Sequence, residues 1–432
     1  MKQPEYIFSK KKILIYGLGK SGVSSFRFLK DKAELYLFDD KKIVDPNLKK
    51  KFITSSQILK AKFDKIIISP GIDISNCKLS KFLKKNLSKI YTDLDVFYSF
   101  YSKNESIAIT GTNGKSTTAK ILHDILMSQN MDVRLIGNIG NPALNEKKIT
   151  EKTVFVIEIS SYQLDYSKIF KSKYAMILNI SPDHLERHQN LRKYIDTKFK
   201  LIEAQSSNSF AFVKKNDKLI YKKLKSKKFN SRIIKVDTIK NYDFLKKITN
   251  NYFFTKTNKE NLSFVIEISK KLRLKKRLLL TTIQKFKGLK FRQQIIFKKN
   301  NLTIINDSKS TSFYSTIGFL KQSSNVFWIL GGIHKKGDKF ELKKRSLNNV
   351  RAFIFGKNKN FFIKELKKKV KLKHFNNLKN VLKNIFYLIK KEKLSHNTIL
   401  FSPCAASFDS FKNFEDRGLY FNKLIKRYLN EI

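Results

Sequence analysis

The stretch that most constrains this chain runs from Ile107 to Leu126. A short apolar run, Ile107-Ala108-Ile109, passes through Thr110-Gly111-Thr112-Asn113-Gly114 into Lys115-Ser116-Thr117-Thr118 and an apolar-periodic segment ending Ile125-Leu126. Strand, glycine-bearing loop and helix in that order point to a parallel α/β architecture, in which the loop opens at the carboxyl end of a buried strand. The two glycines let backbone N–H groups turn inward, the lysine reaches terminal phosphates, and a hydroxyl is left for a divalent cation. The commonest nucleotide loop carries a further glycine where Ile109 stands, so this is a shorter variant. It predicts ATP binding through Gly111, Thr112, Asn113, Gly114, Lys115, Ser116 and Thr117.

A second glycine-bearing turn lies upstream. The buried-strand pattern Ile13-Leu14-Ile15-Tyr16 leads into Gly17-Leu18-Gly19-Lys20-Ser21-Gly22 and a helix to about Lys30; the next strand, Glu34 to Phe38, ends in Asp39-Asp40. That is the βαβ fingerprint of nucleotide binding, and by itself it suggests NAD. A further strand, Lys65 to Ile68, runs into Ser69-Pro70-Gly71-Ile72, a turn where open α/β sheets bind ligands. The pattern restarts near Ser102 to Glu105. Central strands at Val154–Ile159 and Ala175–Ile180 end in polar residues, whereas Ser206 to Asn258 is lysine-rich, with short strand candidates such as Phe210 to Val213. Beyond Phe286 to Leu289, strands at 302–305, 326–330, 352–355 and 398–401 flank an amphipathic helix from Asn376 to Lys391. The predicted class is α/β with three domains: a Rossmann-like N-terminal domain (1–103), a central P-loop ATPase-type parallel sheet (104–288) and a Rossmann-like C-terminal domain (289–432).

Charge bears on partners. The 432 residues include 90 Lys and Arg against 35 Asp and Glu, a formal net charge of +55. The excess is mostly lysine and is spread along the whole chain, unlike the arginine forks and aromatic platforms of nucleic-acid readers, so no nucleic-acid partner is expected. Cys77 and Cys404 show no metal-ligand spacing or disulfide framework, which fits a reducing, cytoplasmic setting. Met1 to Lys12 is polar and basic rather than a signal peptide, and no stretch approaches the ~18–20 apolar residues of a membrane span.

Taken in order, the motifs resemble one family, the ATP-dependent Mur ligases of bacterial cell-wall synthesis. The resemblance rests on Gly17-Leu-Gly-Lys-Ser-Gly22, Ser69-Pro-Gly-Ile72, Gly111-Thr-Asn-Gly-Lys-Ser-Thr117, Gly137-Asn-Ile-Gly140, Glu158-Ile-Ser-Ser-Tyr-Gln-Leu164, Asn179-Ile-Ser-Pro-Asp-His184, Asn306-Asp-Ser-Lys-Ser-Thr311 and the run from Phe401 to Gly418. The last motif and the N-terminal βαβ unit resemble the branch that adds D-glutamate. The resemblance implies a three-domain enzyme that closes on its substrates, a monomer acting on UDP-N-acetylmuramoyl-L-alanine and D-glutamate with ATP and Mg²⁺, through an acyl phosphate, in peptidoglycan precursor synthesis. Another amino-acid ligase of the same family is the nearest alternative, and a nicotinamide-dependent dehydrogenase the alternative from another class.

The same resemblance implies roles for individual residues. Lys115 would hold the β- and γ-phosphates; Ser116, Glu158, His184 and Lys198 would surround the metal, with Lys198 carried as a carbamate. Asn258 and Asn261 would face adenine, in a context where the family's glycine and histidine are Thr255 and Thr257. Arg292 would contact phosphate or ribose, although the family's histidine before it is Phe291 and the usual glutamate after it is Gln294. Asp307 and Lys309 would reach the nucleotide and the reaction centre. Thr311, Lys335 (with Lys336 beside it), Ser407 and Phe414 would hold D-glutamate. Lys20, Ser21, Asp39, Asp40 and Lys41 would hold uracil and ribose, with Gly71, Asn138 and Gln163 nearer the sugar and diphosphate; the first glycine-rich turn then serves a UDP-sugar rather than NAD.

Overall fold

Continuous apolar runs such as Ile13 to Tyr16 and Ile107 to Ile109 suit strands covered on both faces, the signature of parallel sheets flanked by helices. The computed structural model, which describes residues 7–41, 45–238, 247–253, 255–299, 301–321, 323–335, 337–392 and 396–430, has three such sheets. The first contains β1 (Lys12–Tyr16), β2 (Glu34–Phe38), β3 (Lys65–Ile68) and β4 (Ile90–Tyr91), all parallel, in the order β2-β1-β3-β4. β1 sends Ile13 and Ile15 into one core and Leu14 and Tyr16 into the other.

The second sheet contains β5 (Ser106–Thr110), β6 (Val133–Gly137), β7 (Val154–Glu158), β8 (Tyr174–Ile177), β9 (Phe210–Lys214) and β10 (Arg232–Val236). It too is parallel, in the order β10-β9-β8-β5-β7-β6. The strand order reverses beside β5, and it is β5 that delivers the phosphate loop. Ligand crevices in open α/β sheets form at such reversals.

The third sheet contains β11 (Gln294–Lys299), β12 (Leu302–Asn306), β13 (Ser324–Leu330), β14 (Asn348–Phe355), β15 (Lys371–Phe375) and β16 (Asn397–Phe401), in the order β11-β12-β16-β13-β14-β15. Only β11 is antiparallel, a hairpin on β12. The sequence reading found neither β10, β11 nor β15. Each is an edge strand interrupted by lysine or other polar residues, so its pattern lacks the continuous apolar run of a central strand. The amphipathic helix expected from Asn376 spans Leu378–Glu392 and buries Leu378, Val381, Leu382, Ile385 and Phe386.

The chain divides into two compact units, Met1–Thr249 with Glu260–Gln284, and Asn250–Lys259 with Lys285–Ile432. The first two sheets lie in the first unit and share a core in which Phe97 meets Phe155 edge-on, with centroids 4.9 Å apart. Asp95 pins the segment after the helix Ser161–Tyr166 to the end of the first sheet. One of its carboxylate oxygens accepts from Ser167 Oγ and from the backbone N–H groups of Lys168, Ile169 and Phe170, and the other accepts from Thr92. A fully buried carboxylate is tolerated only with this degree of hydrogen bonding.

Candidate functional site

The phosphate loop is shaped by its own glycines. Gly114 caps the helix Lys115–Ser128 with φ of +85°, and a Cβ there would stand 2.1 Å from Asn261 Oδ1. Asn261 is thereby placed against the loop, within the first unit. Asn113 N–H donates to Asn179 Oδ1 at 2.9 Å, and Thr112 Oγ1 donates to Ser181 O at 3.1 Å, so the loop is tied to the strand end that carries Asp183 and His184. Gly114→Ala combines left-handed strain of about 1–2 kcal/mol with that clash, and is expected to weaken nucleotide binding at least about tenfold. Titration with a fluorescent ATP analogue checks it.

The loop opens onto a cleft of about 330 Å³. Of the residues singled out from sequence, Lys20, Ser21, Lys115, Asn138, Gln163, His184 and Lys198 line it. Ser160, Tyr162, Asp183 and Tyr194 line it as well, and the sequence reading had not assigned them a role. Tyr194 had a legible signal: it lies four residues before Lys198, on the same face of the helix Leu191–Glu203. In the structure its hydroxyl is 3.1 Å from Thr112 Oγ1, and Lys198 Nζ lies 4.6 Å from its ring centroid.

Lys198 is the most unusual group in the cleft. It is 1% exposed, and its Nζ donates to Gly111 O at 2.9 Å. Lys115 Nζ donates to the same carbonyl, also at 2.9 Å, and to Thr112 O. Burial, reinforced by the Lys115 charge and opposed by Asp183, pushes the Lys198 amine well below the ordinary lysine range. His184 opens the helix Leu185–His188; its Nδ1 lies 2.9 Å from the Tyr162 hydroxyl, whose phenol is raised by burial to about 12. His188, one turn on, is buried against Ser161 Oγ at 3.0 Å, and burial lowers its pKa.

Glu158 ends β7 and is 1% exposed. Its Oε1 accepts from Asn138 Nδ2 at 2.9 Å, while Oε2 is buried with no hydrogen-bond partner. A desolvated carboxylate oxygen without a donor is costly, and a hard cation is the partner that suits it. Ser116, 2% exposed in the first turn of the helix Lys115–Ser128, supplies a hydroxyl of the right class. Among the described residues no cluster of three or more His, Cys, Asp or Glu is arranged to hold a metal. Glu158 Oε2 and the Ser116 hydroxyl are oxygen donors of the class that a hard cation such as Mg²⁺ takes.

In the first glycine-rich loop, a Cβ on Gly22 would stand 1.9 Å from Gly17 O, so the third glycine is required by close backbone approach. Asp39 Oδ2 accepts from Leu18 N–H at 2.6 Å and Oδ1 from Lys41 N–H at 2.8 Å; Asp40 Oδ1 accepts from the Tyr16 hydroxyl at 2.7 Å. These carboxylates brace the loop's rim and do not line the cleft.

Gly71 lies in the first unit, in the turn after β3, and does not line the cleft; Asn258, Arg292, Asp307, Lys309, Thr311, Lys335, Ser407 and Phe414 lie in the second unit. Asp307, at the end of β12, is buried: Ser402 Oγ donates to its Oδ2 at 2.8 Å and Gln293 N–H to its Oδ1 at 3.1 Å. Burial outweighs these bonds and the nearby Arg292 and Arg417 charges, and raises its carboxyl to about 7. Lys309 Nζ sits 3.7 Å from the Phe414 ring centroid. Arg417, 1% exposed, donates to Ser308 O at 2.7 Å and to Ala405 O at 2.9 Å, tying the segment of Asp307 and Lys309 to that of Ser407. Thr311 stands in the same segment as Lys309, and Lys335 in the loop after β13, its carbonyl accepting from Asp338 N–H at 3.2 Å; Lys336 lies outside the described residues. Phe291 takes φ of +62° and packs edge-on to Phe414, and Gln294 Oε1 accepts its N–H at 3.1 Å. Thr255 Oγ1 accepts from Asn258 N–H at 3.3 Å at the start of the helix Lys256–Lys271, which gives this threonine a capping role, and Asn258 Nδ2 donates to Tyr252 O at 2.7 Å.

Comparison with known proteins adds three findings. A model of the Mur ligase middle domain matches residues 109–278. The UDP-N-acetylmuramoylalanine–D-glutamate ligase of Rickettsia felis is 33% identical over 450 residues, covering 98% of this chain and 99% of that protein; the enzyme of the same name from Francisella tularensis subsp. novicida is 35% identical over 371 residues, 84% of this chain and 85% of its own. Among solved structures, the MurF ligase of Thermotoga maritima in complex with ADP superposes with a TM-score of 0.60 at 15% identity, over 98% of this chain and 97% of that one. The UDP-N-acetylmuramate-alanine ligase MurC of the same organism gives 0.56 at 18%, over 98% and 100%. At those identities the structural likeness is one of fold.

Proposed function

This chain belongs to the Mur ligases, on the branch of the UDP-N-acetylmuramoylalanine–D-glutamate ligases, and from that premise we propose how its own residues perform the reaction. The enzyme is an ATP-dependent ligase that adds D-glutamate to UDP-N-acetylmuramoyl-L-alanine in peptidoglycan precursor synthesis. A carboxylate oxygen of the alanyl group attacks the γ-phosphorus of ATP; the bond to the β-phosphate oxygen breaks and ADP leaves. The D-glutamate amine then attacks the acyl carbon, and the resulting tetrahedral intermediate expels inorganic phosphate as the amine gives up its proton. Both steps bring anions together, so the protein's task is charge neutralisation and alignment.

In this reading Lys115 moves from the carbonyls of Gly111 and Thr112 to the β- and γ-phosphates beside the Gly114 N–H, whereas the Asn113 N–H, expected from sequence to face them too, is held by Asn179 Oδ1. Mg²⁺ would be held by Ser116, Glu158 and His184, and by Lys198 as its carbamate, and would supply charge neutralisation at the transferring phosphoryl group. Lys20, Ser21, Gly71, Asn138 and Gln163 would take the UDP-substrate, with Asp39, Asp40 and Lys41 shaping the uracil side. Asn258, Asn261 and Arg292 would hold the nucleotide, Asp307 and Lys309 would serve the reaction centre, and Thr311, Lys335, Ser407 and Phe414 would bind D-glutamate. The boundaries near 103 and 288 would separate the modules carrying these three duties. Among the described residues no helix is long and apolar enough to cross a membrane, and ATP-driven synthesis on a nucleotide-linked sugar supports a cytoplasmic setting.

The observation that carries the reading is the cleft itself: the phosphate-loop lysine, a buried second lysine, His184 and the first glycine-rich loop meet in one cavity. The test is ADP release in the presence of ATP, Mg²⁺, UDP-N-acetylmuramoyl-L-alanine and D-glutamate. Turnover that requires both acceptor substrates is expected. Turnover supported by L-alanine but not D-glutamate, or independent of the UDP-substrate, would overturn it.

A further inference from the structure

His184 precedes a helix of only four residues, Leu185–His188, and both flanks have positive φ, +54° at His184 and +68° at Gln189. One helical turn has too few internal hydrogen bonds to orient itself, so its direction comes from what its side chains grip. The largest grip is Arg187. Its side chain is 8% exposed, and the guanidinium carbon lies 5.3 Å from the Tyr162 ring centroid and 5.4 Å from that of Tyr166. Nη2 donates to the carbonyl of Ile72 at 2.7 Å, across 115 positions of sequence, while Nε lies 3.6 Å from the Asp165 carboxylate.

Ile72 closes the turn Ser69–Ile72, its N–H donating to Ser69 O at 3.0 Å, and Pro70 of that turn lines the same cleft as His184. At the other end of the turn the Ser69 hydroxyl donates to Gly17 O at 2.6 Å. A continuous set of contacts therefore runs from the first glycine-rich loop, through the turn and the guanidinium, to the helix that His184 opens. Only arginine suits this joint: a planar cation can rest between two rings while donating from its edge, whereas a lysine ammonium is a compact point charge.

We propose that Arg187 is a positioning residue that holds the Ser69–Ile72 turn, and with it the sugar–diphosphate end of the UDP-substrate, in register with His184. This rests on the function proposed above. Loss of register between a bound substrate and its reaction centre is a large effect even when the residue touches neither. Arg187→Met is expected to raise KM for UDP-N-acetylmuramoyl-L-alanine about tenfold and lower kcat several-fold, with KM for ATP changed by less than about twofold. Calorimetric titration of the UDP-substrate without ATP should read the same loss of affinity. Asp165→Asn, which leaves the donor to Ile72 in place, should cost less than about threefold. Free guanidinium ion at millimolar concentration should partly restore UDP-substrate binding to Arg187→Ala, which a general folding defect would not allow. The proposal is overturned if Arg187→Met binds the UDP-substrate as tightly as the parent, or if its affinities for UDP-substrate and ATP fall equally. If the unmutated protein fails to bind the UDP-substrate at all, the functional reading falls, and the parent titration shows this before any variant is made.

Discussion

Replacing Lys198 with alanine is expected to lower kcat by a factor on the order of 10²–10³, the range set by loss of one preorganised charged group at a phosphoryl-transfer centre. The reasoning starts from burial. Lys198 is fully enclosed and shares the Gly111 carbonyl with Lys115. Desolvation and then the Lys115 charge both disfavour its ammonium form. A neutral amine in that position is a nucleophile toward CO₂, and the proposed carbamate would replace a like-charge pair with an ion pair and add an oxygen donor for the proposed Mg²⁺. Two readouts separate this role from simple packing. Small carboxylates such as formate should restore part of the activity of Lys198→Ala, and removal of dissolved CO₂ should slow the parent enzyme. Because protonation competes with carbamate formation, the parent should also lose activity as pH falls. If the alanine variant keeps kcat within about tenfold of the parent, or formate rescues nothing, the role is wrong.

Asp307→Asn is expected to raise stability at pH 8 while depressing activity. The carboxyl is buried and its pKa stands at about 7, against an ordinary 3.8. Between those values the folded state keeps a proton that the unfolded state has released. The contribution is therefore fully present below the unfolded value and lost as pH rises through about 7. The size of the shift sets a ceiling on the order of 4 kcal/mol for what the buried anion costs the fold at pH 8. Asparagine keeps the shape and an acceptor for Gln293 N–H without the charge. Denaturant midpoints of variant and parent should differ most at pH 8, draw together as pH falls, and converge only at about pH 4 and below. Activity should fall on the order of a hundredfold if Asp307 serves the reaction centre as proposed. Equal stability at both pH values would show that the buried anion is compensated in the fold. Strain of this kind at a site built for chemistry is a known exchange of stability for function.

Much of the fold is legible because it depends on local signals. Continuous apolar runs mark β1, β3, β5, β7, β8, β13 and β16, and the amphipathic spacing from Leu378 marks its helix. The phosphate loop is legible for the same reason: its function lies in consecutive backbone N–H groups and the residues that immediately follow. The lysine-bearing edges β10, β11 and β15 escape because an exposed edge strand need not be apolar. Tyr162, Asp183 and Tyr194 escape as site residues for another reason. Each is a common residue type whose place in the cleft depends on a neighbour far along the chain, such as Thr112 for Tyr194. The departures from the family pattern also became readable only in space. Thr255, where the family pattern has glycine, accepts from Asn258 N–H at a helix start, and Gln294 supports the left-handed Phe291 that packs on Phe414.

Sequence by itself determined the two glycine-rich turns, the parallel α/β class and the family, because each rests on residues whose spacing along the chain is the chemistry. It identified Lys115, Glu158, His184 and Lys198 as individuals. Tertiary structure alone decided their state: Lys198 is buried beside another lysine, Glu158 has an oxygen with no hydrogen-bond donor, and His184 opens a helix whose Arg187 grips the carbonyl of Ile72, 115 residues away. Desolvation and long-range hydrogen bonding have no period in a sequence, because they arise only when distant strands of the chain exclude water from one place.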